Sequence, residues 1–173
     1  FMGVIFSSLG FAASLYSVRY MEHDTGLTQY YVLLLSLVAA LNGVAYAADF
    51  FTLFVFYEMM GISSYSLVAF RKHMWEPVEA AMKYLFMAAI GSTAVLLAMS
   101  MLYGLTGTLN FEAIGIALRE AKAPTGYLYL ILALLIGGFG VKAAIVPMHS
   151  WLIDAHPAAP TSISAMLSGV VIK

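Results

Sequence analysis

The sequence predicts an all-α protein: a polytopic transmembrane helix bundle of about six spans, with a broken helix near 140–150 and one short amphipathic surface helix. Three observations carry that prediction. The 173 residues are 62% hydrophobic and 10% charged, with a mean hydropathy of +0.91, whereas soluble domains carry about 25% charged residues. The apolar runs match the roughly 20 residues a helix needs to cross the hydrocarbon core. Short charged segments separate those runs.

Phe1 to Val18 is the first span, and RYMEHDTG (Arg19 to Gly26) ends it with charges. Thr28 to Phe70 is about twice the length of one span and almost uncharged, so it holds two helices meeting near Ala47 to Phe50, with Asp49 at the membrane edge. RKHMWEP (Arg71 to Pro77) closes that pair, and Pro77 suits the first turn of a fourth helix running to about Tyr103. GLTGTLN then reads as a loop.

Asn110 to Ala121 has another pattern. Phe111, Ile114 and Leu118 recur at helical spacing while Glu112, Arg119 and Glu120 take other faces, as in an amphipathic helix lying on a membrane surface. A fifth span begins near Gly126 and is weakened by Gly137, Gly138, Gly140 and Pro147. Pro147 cannot donate its backbone hydrogen bond and displaces the carbonyl of Ala143, so a break is expected about one turn beyond Lys142. Pro157 and Pro160 keep the following stretch extended, and a sixth span starts at Thr161 and stops at Lys173.

Several classes are excluded. With no cysteine in the chain, disulfides and thiolate-held clusters are ruled out; no redox ligand set is evident and no cofactor is expected. The net charge of −1, with no stripe of basic residues, offers no footprint for nucleic acid. Phe1 opens directly into an apolar span without a basic segment before it, so no secretory leader is expected. The absent initiator Met and the end within an apolar run lead to the expectation of a fragment. Arg19, Arg71 and Lys72 on one side, against Arg119 and Lys122 on the other, place the first side in the cytoplasm.

The informative residues are charges inside apolar spans, which are costly at depth and pair, face water or titrate there. Glu58 is the ninth residue after Asp49, about 13 Å into its helix and near the midplane; its bland reading is a structural hydrogen-bonding carboxyl. Lys83 follows Pro77 by six residues, and Glu79 stands four residues before it, so an ordinary intrahelical pair competes with a functional role. Lys142 precedes the proline break, where irregular backbone lines a cavity or is covered by protein; snorkelling is its bland reading. Lys173 is the thirteenth residue from Thr161, about 18 Å along its helix, where snorkelling is hard. An opposite charge at about 8 Å contributes about 2 kcal/mol at an effective dielectric near 20. Lysines that gain and lose such a neighbour load and release protons, and water-linked lysines form relay stations. His149 and His156 frame WLIDA with Asp154 and are proton shuttles by their intrinsic acidity. A two-sided haem cage between them is disfavoured by the flanking prolines. His23 and His73 read as solvated, and the methionines and aromatics as packing or lipid-facing residues.

VKAAIVPMHSWLIDAHPAAPTSISAMLSGVVIK resembles the central signature of the antiporter-like subunits of respiratory complex I, the related Mrp sodium/proton antiporters and membrane-bound hydrogenases, the HPAAP form being closest to the hydrogenase-associated members. FYEMMGISSY resembles that family's glutamate-bearing helix and EAAMKYLFMAAIGS the helix after it, so the resemblance covers nearly the whole chain. It implies that Glu58 is the carboxylate that modulates the channel and Lys83 its lysine partner. It further implies that Lys142 is the pumping lysine on a broken helix, that Lys173 bridges toward a second half, and that His149 lies in the matching loop. The family builds two inverted five-helix repeats around a hydrated axis. Residues 1–173 are then a single transmembrane domain, with a leading helix over 1–20 and a first repeat over 28–173 truncated at its last helix.

The resulting expectation is a proton-translocating antiporter-like subunit of a multisubunit redox-driven complex, relaying protons through Glu58, Lys83, Lys142, Lys173 and His149. The alternatives are a subunit of an Mrp-type sodium/proton antiporter, a structural subunit transmitting conformational change, and a quinone-binding enzyme. Expected partners are other membrane subunits of one complex, the bilayer, and protons or sodium. The expected location is a prokaryotic cell membrane rather than the mitochondrial inner membrane.

Overall fold

The computed structural model describes residues 1–120 and 124–172. In chain order its helices are α1 (Met2–Tyr20), α2 (Leu27–Tyr46), α3 (Phe50–Val68), α4 (Trp75–Thr106), α5 (Phe111–Glu120), α6 (Thr125–Lys142), α7 (Ser150–Ala158) and α8 (Thr161–Met166). The protein is an all-α bundle. Among the described residues five helices, α1 to α4 and α6, are long and apolar enough to cross a membrane. In place of the expected sixth span is a shorter apolar helix that starts at Thr161 and passes from α8 into a π-helical turn over Leu167–Val171.

Asp49 and Asn110 explain one end of the bundle. Asp49 caps α3 by accepting from the Thr52 amide at 2.7 Å and the Thr52 hydroxyl at 2.8 Å, satisfying donors that a helix start leaves free. Those two bonds hold the Asp49 carboxyl below its ordinary value. Asn110 caps α5 in the same way, accepting from the amides of Glu112 and Ala113. The Phe50 amide donates to Leu109 O at 2.9 Å, and Phe50 meets Phe111 edge to face. The amphipathic α5, expected from Asn110 to Ala121, is thereby pinned beside the start of α3; Ala121 and Lys122 lie outside the described residues.

At the opposite end Arg71 grips Asp24 with two nitrogens, at 3.2 and 2.9 Å. The carboxylate raises the pKa of the guanidinium above its ordinary value. The pair joins the α1–α2 turn to the α3–α4 turn.

The most extensive helix pairs are α2 with α3 and α4 with α6. The second pairing depends on two glycines: a Cβ on Gly138 would come 2.6 Å from Gly91 O. Only bare backbone fits, as where small residues let helices in a membrane approach closely. Lys142 lies four residues beyond Gly138, so this contact sets its height along α4. A buried hydroxyl chain completes the frame, with Tyr30 OH 2.7 Å from Ser17 Oγ and 2.6 Å from Ser162 Oγ. Ser17 donates its own hydrogen to Ala13 O. Tyr30 therefore donates to Ser17, and Ser162 to Tyr30, binding α1, α2 and α8.

Candidate functional site

The break comes earlier than the proline alone predicts. α6 ends at Lys142 itself rather than one turn later, because Ala144 takes a positive φ of 51° and the Ile145 amide reaches back to Gly140 O at 2.9 Å. The Val141 carbonyl, freed by the ending helix, accepts from Trp151 Nε1 at 2.8 Å. The stretch expected to be extended from Pro157 begins only at Ala159, since Pro157 lies within α7.

Lys142 is 3% exposed, which removes the snorkelling reading. Its Nζ lies 4.9 Å from the ring centroid of Tyr57 on α3 and 5.5 Å from that of Tyr84 on α4, within the reach at which a ring face attracts an ammonium. Tyr57 donates its hydroxyl to Gly138 O at 3.2 Å. Tyr84 stacks on Trp151 with centroids 3.9 Å apart. Lys142 makes no salt bridge among the described residues.

Glu58 sits midway along α3 and is partly buried, as its position from Asp49 predicts. Its Oε1 meets Ser92 Oγ of α4, and Ser92 Oγ is also 2.8 Å from Ala88 O. One hydroxyl hydrogen cannot serve both acceptors. With Glu58 ionised the hydroxyl donates to the carboxylate; with Glu58 protonated the carboxyl donates to Ser92, and the serine hydrogen turns to Ala88. Ser92 thus holds Glu58 in either charge state. Glu58 also lines a cavity of about 450 Å³ beside Leu33, Ser36 and Met59.

Lys83 is half-exposed and paired with Glu79 at 2.9 Å and Asp154 at 2.8 Å, so the intrahelical pair that its spacing allowed is present. No ion pair joins it to Glu58 among the described residues. The reason is length: α4 has 32 residues, about 48 Å against a hydrocarbon core of about 30 Å, which leaves its first turns room to stand near the boundary. His149 occupies the position before α7 without a side-chain capping bond, and its Nδ1 is buried without a hydrogen-bond partner among the described residues. His156 Nδ1 meets Ser164 Oγ at 2.7 Å. Lys173 lies outside the described residues.

Sequence reasoning missed Ser92, Tyr57, Tyr84, Gly61, Trp151 and the pairing role of Asp154. A signal was present: Tyr57, Gly61 and Ser64 share one face of α3, and Tyr84, Ala88 and Gly91 one face of α4, at helical spacing. Small polar and aromatic residues on the same faces mark where two helices and a third group meet.

Residues 47–173 match the family model described as "NADH:quinone oxidoreductase/Mrp antiporter, TM". The chain is 34% identical over 172 residues to NADH-quinone oxidoreductase subunit N 2 of Chloroherpeton thalassium, covering 97% of this chain and 34% of that protein. It is 33% identical to hydrogenase-4 component B of Escherichia coli, covering 100% of this chain and 25% of that protein. In structure it superposes on a chain of the membrane-bound sulfane sulfur reductase, an archaeal respiratory membrane complex, with a TM-score of 0.91 and 33% identity, covering 98% of this chain and 34% of that one. The chain thus spans about a third of the length of the relatives it matches, or less.

Proposed function

Because this chain belongs to the transmembrane family shared by NADH:quinone oxidoreductases and Mrp antiporters, we propose that it is part of a proton-translocating antiporter-like subunit of a multisubunit, redox-driven membrane complex. The single observation that carries the reading is Lys142: an ammonium 3% exposed, at the end of a broken helix, inside an apolar bundle. A lysine so placed exchanges its proton only with groups brought to it. Glu58 sets its charge from α3, with Ser92 accommodating both states of the carboxyl. Lys83 acts from the rim, in a charge cluster with Glu79 and Asp154. His149 takes part through its buried Nδ1, which has no hydrogen-bond partner among the described residues, and Lys173 carries the proton onward; the part of Lys173 rests on the sequence motif alone. Residues 28–173 form most of the first of two inverted repeats, preceded by a leading helix over 1–20, and the protein resides in a prokaryotic cell membrane among other membrane subunits.

The test is Lys142→Ala in the full-length protein within its native membranes, measuring proton uptake by inverted vesicles per electron transferred. At least a tenfold loss of pumping with an assembled complex is expected. Unchanged pumping per turnover overturns the reading.

Two readings compete. The family model names Mrp antiporters beside NADH:quinone oxidoreductases, which is compatible with the Mrp-type sodium/proton alternative, and transport that requires sodium would select it. The Glu79–Lys83–Asp154 cluster favours a structural role transmitting movement between α4 and α7. That role predicts that Glu58→Gln impairs assembly, whereas the transport reading predicts normal assembly with lost pumping.

A further inference from the structure

The surroundings of Lys142 deepen the transport reading, and the role of its aromatic neighbours rests on that reading. We propose that Tyr57 and Tyr84 hold the ammonium of Lys142 on their ring faces between proton transfers, and that Gly61 is kept small to admit it. In this arrangement aromatic faces, rather than a contacting carboxylate, stabilise the charged lysine at the helix break.

Four observations converge on it. Both rings are buried, at 4% and 0% exposure, so the ammonium meets them out of water, where such attraction is strongest. Both phenols are fixed at their rims: Tyr57 donates to Gly138 O, and Tyr84 OH meets Ser64 Oγ at 2.9 Å. Ser64 spends its hydrogen on Gly61 O, so Tyr84 is the donor in that pair. With their hydroxyls committed elsewhere, the two rings offer Lys142 their faces. Trp151 stacks on Tyr84 with centroids 3.9 Å apart, and the Lys142 ammonium lies over the same ring at 5.5 Å from its centroid.

The rival holder is Glu58, but its bonded partner is Ser92, and it forms no ion pair with Lys142 among the described residues. The difference matters for turnover. A carboxylate in contact within a low-dielectric interior would retain the proton, whereas a ring quadrupole attracts the ammonium more weakly and tolerates its neutral form. Gly61 supplies the space: a Cβ there would lie 2.5 Å from Lys142 Nζ. Since that atom is the tip of a flexible side chain, Gly61→Ala displaces the ammonium and leaves the helix backbones where they are.

The test uses the full-length protein in its native membranes and reads proton transport beside the yield of assembled complex. Tyr57→Phe keeps the ring face and removes only the bond to Gly138, so its transport sets the reference rate for the series that follows. Replacing residue 57 by phenylalanines carrying one, two and three ring fluorines drains the face with little change in shape. Transport should fall stepwise, by about tenfold at the third fluorine, with assembly constant. Gly61→Ala should assemble normally and lose transport by a similar factor. A flat fluorine series, or Gly61→Ala at full rate, overturns the proposal. So does loss of transport at Tyr57→Phe, which would assign the effect to the bond with Gly138. Lys142→Ala in the same membranes separates the two levels. If it abolishes transport while the fluorine series is flat, the aromatic role alone fails; if transport survives it, the transport reading fails and takes the aromatic role with it.

Discussion

Lys83 and Asp154, separated by 71 positions in the chain, meet at 2.8 Å between Nζ and Oδ2. The contact ties α4 to the short helix after the break, and Glu79 holds the same ammonium from within α4. Exposed pairs of this kind add little to stability. Asp154→Asn is therefore expected to leave thermal unfolding in detergent close to that of the unaltered protein, because Glu79 keeps the lysine paired. The double change Glu79→Gln with Asp154→Asn should instead loosen α7, seen as faster amide exchange over Ser150–Ala158.

Ser92 is the hydrogen-bond partner of Glu58 across α3 and α4. Ser92→Ala removes the hydroxyl and leaves a half-buried carboxyl without its partner, a loss of about 1.5–3 kcal/mol for a bond to a charged group. Proton transport should fall by roughly tenfold or more, while Ser92→Thr, which keeps the hydroxyl, should retain most of it. Vesicle pumping assays on both variants decide the matter; equal rates would mean the hydroxyl is idle.

Tyr30 makes a prediction that is independent of transport. Its hydroxyl both donates to Ser17 and accepts from Ser162, so Tyr30→Phe removes both bonds and leaves the buried Ser162 hydroxyl without its acceptor, while Ser17 keeps its bond to Ala13 O. A stability loss of about 1–3 kcal/mol is expected, measured as a lower unfolding temperature in detergent. Loosening should be greatest where α8 meets α1.

Asp49 carries a pH dependence. The Thr52 amide and hydroxyl favour its ionised form, so its value in the folded protein is depressed. A depressed carboxylate contributes stability that is present above its unfolded value and lost as pH falls through the folded one. Exchange of the Thr52 amide should accordingly rise only when pH drops below the ordinary carboxylate range. Asp49→Ala should show that fast exchange at neutral pH, and Asp49→Asn, itself a good cap, should not.

The position of Glu58 midway along its helix follows from counting. A helix rises by a fixed amount per residue, so distance from Asp49 gives its depth without any tertiary information. The same arithmetic does not place Lys83. α4 is longer than the hydrocarbon core is thick, and where its excess lies depends on what packs against it. Pro147 marks the break, yet the helix ends at Lys142 because Ala144 and the Gly140–Ile145 bond close it first. Those choices are made by neighbours such as Trp151, which a local pattern does not contain.

The sequence by itself determined the all-α membrane class, the order of the apolar helices, the interrupted helix and the unusual cost of Lys142 and Glu58. These follow from local quantities: apolar run length, charge spacing and the backbone chemistry of glycine and proline. Only the tertiary structure decided which groups surround the lysine. The Gly91–Gly138 approach sets the height of α6 on α4, and that height brings Tyr57, Gly61 and Tyr84, from two other helices, to one ammonium. Contacts between helices depend on the rotation and depth of each against the next, and those are fixed by packing across the whole bundle.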